Sequence, residues 1–283
     1  EHAVLSRRLA EESAVLLQNN NGLLPLNVSK LTKIAVIGDF ASTKYDLVAG
    51  GGSGHVKAMY KVSALSGISN WTASANVKVL YASNDLNEAV AAARQADVAI
   101  VVVGAFSTEG ADRSTLGLGS AQDSLASAVA SVNSKTVVVL HNPGAVLTPW
   151  KHSVASILAL GYPGQEDGNA LARILFGAVN PSGRLAVTWP ASDTQSGLTS
   201  AQWPGINKQA NYSEGLLIGY RYYHANNLTP DFPFGFGLSY STFYYGNFKV
   251  IQNSEFELLF TGSVSNSGPY DGATVVQIYV GFP

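Results

Sequence analysis

The sequence predicts an α/β fold: a mostly parallel sheet with helices on both faces (an α/β sandwich), followed by the start of an all-β sandwich. Three observations predict it. Five short β-branched runs, too apolar for one wet face, alternate with helical patterns. From about Pro181 the chain turns to extended stretches rich in Gly, Pro and aromatic residues. From Thr242 onward apolar and polar residues alternate between Asn/Gly/Pro turns. With 46% hydrophobic and 13% charged residues among 283, the chain can bury one or two sizeable cores.

Taken in order, residues 3–18 (AVLSRRLAEESAVLLQ) space their apolar positions as a helix does, and Asn19-Asn20-Asn21-Gly22 forms a stop that tolerates positive φ. KIAVIG (33–38), VKVLYA (77–82), DVAIVVVG (97–104), KTVVVLH (135–141) and VASILALG (154–161) read as buried parallel strands. Helical patterns at 86–94, 121–132 and 169–175 lie between or after them, and this βαβα alternation puts helices on both faces of the sheet. Residues 181–241 hold no convincing helix and read as a wrapping or interface segment. FKV, FELLFTGSVSN and ATVVQIYVG then start a β-sandwich. An immunoglobulin-like sandwich takes about 100 residues and about 40 remain, so this second domain is expected to be truncated or completed by another chain. The chain opens at Glu1 inside the first helical pattern, with no initiator Met and no signal peptide, as expected of a processed piece.

Seventeen Lys plus Arg against 19 Asp plus Glu supply no basic field for a phosphate backbone, so nucleic acid is not expected as a partner. Apolar runs such as 34–37 and 98–103 fall far short of the roughly 20 residues a membrane span needs. With no Cys there is no disulfide framework or thiolate metal site, and the five His show no metal spacing. Low charge and four acceptor sequons, at Asn27, Asn70, Asn211 and Asn227, suit a secreted glycoprotein. The abundance of Asn, Ser and Thr would also make about three sequons by chance.

Three segments have residues suited to chemistry. Gly50-Gly51-Gly52-Ser53-Gly54 allows backbone to approach a ligand closely, but it is not G-x-G-x-x-G and no Walker Lys follows. A flexible loop at the carboxyl end of the sheet is the better reading. Directly after the 97–104 strand, Ser107-Thr108-Glu109-Gly110-Ala111-Asp112-Arg113 places two carboxylates and a guanidinium where a rigid sheet presents side chains. Glu109 could enter a neighbouring pocket as a general acid, although spacing alone favours a solvated loop with an Asp112–Arg113 ion pair. His141 ends a strand and is either at the ligand edge or, more commonly, a hydrogen-bonded turn residue. Trp189, Trp203, Tyr212 and Tyr240 suit sugar stacking or interface packing alike. No G-x-S-x-G nucleophile elbow is present.

Three longer motifs, ESAVLLQNNNGLLPL (12–26), GYPGQEDGNALARILFGAVNPSGRLAVTWP (161–190) and NYSEGLLIGYRYYHANNLTPDFPFGFGLSYSTF (211–243), closely resemble the C-terminal region of family 3 glycoside hydrolases of the β-glucosidase type. The resemblance implies an α/β sandwich over 1–190, an aromatic connecting segment over 191–241 and the start of a fibronectin III-like domain over 242–283. It implies a preceding (β/α)-barrel, absent here, in the same polypeptide or as a separate chain. It also implies a retaining exo-acting β-glucosidase acting on a β-glucoside or oligosaccharide without metal or organic cofactor. In such an enzyme an Asp on the barrel attacks the anomeric carbon and a Glu on the sandwich serves as acid/base, the two carboxyl groups about 5 to 5.5 Å apart.

Ser107 to Arg113 fits the family's S-x-E-G-x-D-R loop, which makes Glu109 the acid/base and Asp112 and Arg113 orienting residues. Gly52, Ser53, Gly54 and Ser107 then border the pocket mouth as substrate-binding positions. No residue matches the family's nucleophile segment; Asp193 in Ala191-Ser192-Asp193-Thr194 lacks the following Trp. The alternatives are a β-xylosidase or broad exo-glucanase of the same family, a non-catalytic carbohydrate-binding fragment, or a flavodoxin-like domain resting on the βα pattern alone.

Overall fold

The structure, a computed structural model, describes residues 1–45, 47–48 and 50–281. Its centre is a six-stranded sheet made of β1 (Val15–Asn19), β2 (Lys33–Ile37), β3 (Lys78–Ala82), β4 (Val98–Gly104), β5 (Thr136–His141) and β6 (Ser156–Ala159). The strand order is β1-β6-β5-β4-β2-β3. β2 to β6 are mutually parallel, and every residue of the adjacent strands β4 and β5 is buried, which is why those runs carry no polar face.

Helices cover both faces. α3 (Leu86–Gln95) and α4 (Ser120–Val132) bury Ala89, Ala93, Leu125 and Val129 against Val101, Val103 and Val138. On the other face α2 (Ala64–Thr72) and α5 (Asp167–Leu175) bury Ile68, Leu171 and Ile174 against Ile100, Val102 and Val137. α2 and α5 cross at glycine: a Cβ on Gly67 would overlap the Gly168 backbone, and one on Gly168 would overlap the carbonyl of Ser63. α1 (His2–Ser13) is tied to α5 through Glu11, which accepts from Arg173 Nε at 2.7 Å and pairs with Arg7 at 3.2 Å.

The structure corrects four expectations. The first helix stops at Ser13 instead of running to residue 18, and Val15–Asn19 is an edge strand antiparallel to β6. Val15 and Leu17 belong to one core and Leu16 to the other, so the period there is two, which three successive apolar residues conceal. Asn19 then closes a turn by exchanging two hydrogen bonds with Leu24. α2 has no helical signature in the sequence, because ALSGISNWT is poor in helix formers; its start is fixed by Ser63, whose hydroxyl accepts from Ser66 N–H. A six-residue helix, α6 (Tyr220–Ala225), interrupts the connecting segment. At the end, β7 (Phe243–Ser254) and β8 (Glu257–Asn266) form an antiparallel hairpin, while residues 273–281 join no strand. That segment bonds to residues on either side of position 190 instead: Arg184 Nη2 donates to Thr274 Oγ1 and Gln277 Nε2 to Gly235 O.

Asp97, just before β4, clips the start of β2. Its Oδ2 accepts from Thr32 N–H (2.6 Å), Thr32 Oγ–H (2.9 Å) and Lys33 N–H (2.9 Å), and these donors, Lys33 N–H foremost, hold the carboxyl below its ordinary range. A carboxyl depressed in the folded state contributes stability above its unfolded pKa of about 3.9 and loses it as pH falls through the folded value. Asp97→Ala is therefore expected to cost about 1 kcal/mol near pH 7, the partly exposed site limiting the figure. Urea unfolding across pH is expected to show the gap to wild type closing as the medium is acidified below the unfolded pKa. A gap independent of pH would refute this role.

Candidate active site

The chain reverses its lateral direction at β2, with β3 on one side and β4 on the other. In open α/β sheets ligands bind in the crevice outside the carboxyl ends of the strands at such a switch point. Two loops leave those ends, residues 38–63 after β2 and 105–119 after β4, and they contain the glycine run and Glu109.

The loops are pressed together through glycine. Gly51 N–H donates to Ser107 O at 3.1 Å. A Cβ on Gly51 would overlap the Thr108 side chain. One on Gly52, whose φ is +98°, would overlap Glu109 Cβ. Glu109 is exposed to solvent, and its Oε2 accepts from Ser53 N–H at 2.7 Å and Ser53 Oγ–H at 2.6 Å. The Ser53 hydroxyl, and after it the N–H, holds the Glu109 carboxyl below the usual carboxylate range. The group is thus set as an acceptor.

Behind it, Ser107 N–H donates to Tyr162 Oη (3.0 Å), and Tyr162 Oη–H donates to Ala105 O (2.7 Å), which roots the loop on the segment after β6. Arg113 Nη2 donates to Ala145 O at 3.1 Å, and its Nη1 is buried without a hydrogen-bond partner. Asp112 is exposed and makes no ion pair with Arg113; the guanidinium anchors the loop by itself. Farther along, Asp193 accepts from Thr115 Oγ–H (2.6 Å) and Leu116 N–H (2.7 Å), pinning the connecting segment to the far end of the same loop. Gly54 stands beside open space. Tyr162 and Asp193 carry no local signal for these roles, since their partners lie far away in the sequence.

His141 is fully buried, shut off from the crevice, with Nδ1 3.3 Å from Gly161 O and Nε2 3.6 Å from Asp167 Oδ2. Burial pushes the Asp167 carboxyl up, opposed by His141. Trp189 packs edge-on to Phe232 and Tyr240 Oη–H donates to Ile174 O, so both serve packing, whereas Trp203 and Tyr212 are exposed. Asn27, Asn70, Asn211 and Asn227 are all exposed. Among the described residues no group of three or more His, Asp or Glu could hold a metal ion, and no helix is long and apolar enough to cross a membrane.

The model of the glycosyl hydrolase family 3 C-terminal domain matches residues 14–240. The chain belongs to glycosyl hydrolase family 3. An exo-α-(1→6)-L-arabinopyranosidase from Bifidobacterium longum is 37% identical over 99% of this chain and 39% of its own length. A thermostable β-glucosidase B from Acetivibrio thermocellus is 37% identical over 99% of this chain and 38% of its length. Among solved structures, a β-glucosidase from Streptomyces venezuelae in complex with D-glucose superposes with a TM-score of 0.88 at 28% identity, covering 94% of this chain and 48% of that one. A family 3 β-glucosidase from Bifidobacterium adolescentis gives 0.85 at 36% identity, covering 94% and 40%. The chain thus spans about two fifths of the length of its curated family 3 relatives.

Proposed function

We propose that this chain supplies the acid/base half of a retaining, exo-acting β-glucosidase, with the nucleophile on a barrel domain. The observation that carries this reading is the place of Glu109: exposed, at the switch-point crevice, on a segment that fits the family's S-x-E-G-x-D-R loop. In the first step the Glu109 carboxyl gives its proton to the glycosidic oxygen as the C–O bond breaks and the nucleophile carboxylate bonds to the anomeric carbon. In the second the Glu109 carboxylate takes a proton from water, whose oxygen displaces that ester. The two donors that Ser53 aims at Glu109 Oε2 suit the carboxylate form that the second step uses.

The barrel is expected to dock beside this loop. α1 exposes Val4, Leu5 and Leu9, and the groove next to them is also lined by Tyr162 and Pro163, the Tyr162 hydroxyl being the anchor of the Glu109 loop. Such an apolar strip beside the residue that anchors the Glu109 loop suits a permanent domain interface. We read 1–190 as the sandwich domain, 191–241 as the connector and 242–283 as the first strands of a fibronectin III-like domain, whose further strands would cover the exposed apolar residues of β7 and β8. The four exposed sequons suit a secreted glycoprotein.

A second reading of the glycone has support: the arabinopyranosidase is as similar to this chain as the thermostable β-glucosidase is. A panel of aryl glycosides assayed with the complete, barrel-bearing protein decides between them. Turnover of the β-D-glucoside, with β-glucose as the first product by proton NMR, is the expected result. Preference for an α-L-arabinopyranoside or β-D-xyloside reassigns the glycone. Sugar binding without turnover overturns the enzymatic reading.

A further inference from the structure

Ser53 spends both of its donors on one oxygen of one carboxylate. Its N–H and Oγ–H reach Glu109 Oε2 at 2.7 and 2.6 Å, while Oε1 has no hydrogen-bond partner among the described residues. The fork is held from both sides. The glycine run lies too close to Thr108 and Glu109 for any side chain at Gly51 or Gly52, and a turn from Gly52 O to His55 N–H presents Ser53 at its tip. On the other side Tyr162 fixes Ser107, and Thr108 bridges to Ala111 around Gly110.

We propose that Ser53 is a positioning residue for Glu109: it clamps Oε2 and leaves Oε1 as the oxygen that exchanges the proton with the glycosidic oxygen and then with water. This rests on the acid/base reading of Glu109 and gives Ser53 a role other than sugar contact. The clamp favours the water-activating half of the cycle, because two donors on Oε2 suit a carboxylate. During the protonating half the proton resides on Oε1, the oxygen that Ser53 does not hold. The ionisable groups on the packed segments are His55 and Lys57 beyond the glycine run, Asp112 and Arg113 on Glu109's own loop, and Tyr162 behind Ser107. Among the described residues it is Ser53 that donates to the Glu109 carboxyl, through its N–H and its hydroxyl.

The test uses the complete, barrel-bearing enzyme and the pH dependence of kcat/KM on an aryl β-glucoside, whose alkaline limb reports the acid/base of the free enzyme. Ser53→Ala removes one of the two donors and is expected to move that limb to higher pH while the acidic limb stays in place. Ser53→Thr, which keeps the hydroxyl, is expected to restore it. An alkaline limb that stays put in Ser53→Ala, with any loss of rate equal at every pH, overturns the positioning role. Glu109→Gln run alongside separates the two levels. If the limb vanishes in Glu109→Gln but does not move in Ser53→Ala, the acid/base assignment stands and the role of Ser53 alone falls. If the limb survives in Glu109→Gln, it does not belong to Glu109, and both fall.

Discussion

Glu109→Gln in the complete enzyme is expected to slow hydrolysis of glucosides with poor leaving groups by about 10²- to 10⁴-fold, the usual worth of general acid/base catalysis. An alkoxide leaving group must be protonated as it departs, and Gln has no proton to give at a useful pKa. An aryl group that is a stable phenolate needs less help, so its bond to the anomeric carbon should still break at an appreciable rate. The second step then becomes limiting, because water loses its base. The covalent intermediate accumulates, and KM for the activated substrate falls together with kcat. Azide, an anion that needs no base, should rescue turnover and yield a glycosyl azide. Steady-state kinetics on a series of aryl glucosides, with and without azide, measure all of this. Small and equal losses across the series would remove Glu109 from the mechanism.

Gly168→Val is expected to be the most damaging single change to the fold, lowering stability by about 3 kcal/mol or more. The backbones of α2 and α5 touch here: Gly168 N–H donates to Val62 O at 2.8 Å, and an added Cβ would overlap the Ser63 carbonyl. Neither atom is the free end of a side chain, so relief requires the helices to separate and expose Ile68, Leu171 and Ile174. The same displacement would move Ser63 and the loop that precedes it, which contains the glycine run, so activity should fall along with stability. Gly144→Ala is the control, since nothing lies within 4 Å of a Cβ there and a change within about 0.5 kcal/mol is expected. Urea denaturation of the two variants beside wild type tests the pair; equal midpoints would show that the helices can part cheaply.

The parallel strands were readable because β4 and β5 are buried on both faces, and burial on both faces leaves an unbroken apolar run with polar residues only at the ends of β5. Val15-Leu16-Leu17 is just as apolar but was absorbed into the helical spacing of the residues before it; only tertiary pairing with β6 makes it a strand. α2 was hidden because its helix is held by a glycine crossing with α5, which uses residues that ordinarily argue against helix. At the site, the Glu109 loop is visible as a charged segment at the end of a strand, and its reading as the acid/base rests on the resemblance to the family motif. The contacts that give the loop its shape join residues separated by 56 (Ser53 to Glu109), 55 (Ser107 to Tyr162) and 77 positions (Leu116 to Asp193), and no local pattern encodes them.

The pairing of β1 with β6 has a consequence for biogenesis. On the ribosome β1 is the first of the six strands to be made, and Ala159, the partner of its Val15, is among the last residues of the sheet to emerge. Every intervening strand can add to a parallel neighbour as the nascent chain lengthens, whereas Val15, Leu16 and Leu17 must wait with their apolar side chains uncovered. A nascent chain stalled before β6 therefore carries a sticky, unpaired segment next to α1, the kind of surface that holdase chaperones recognise. Pairing with β6 covers one side of β1, but its other side is met by Leu238, whose N–H donates to Leu16 O, so this strand is enclosed only after the chain has been made through Leu238.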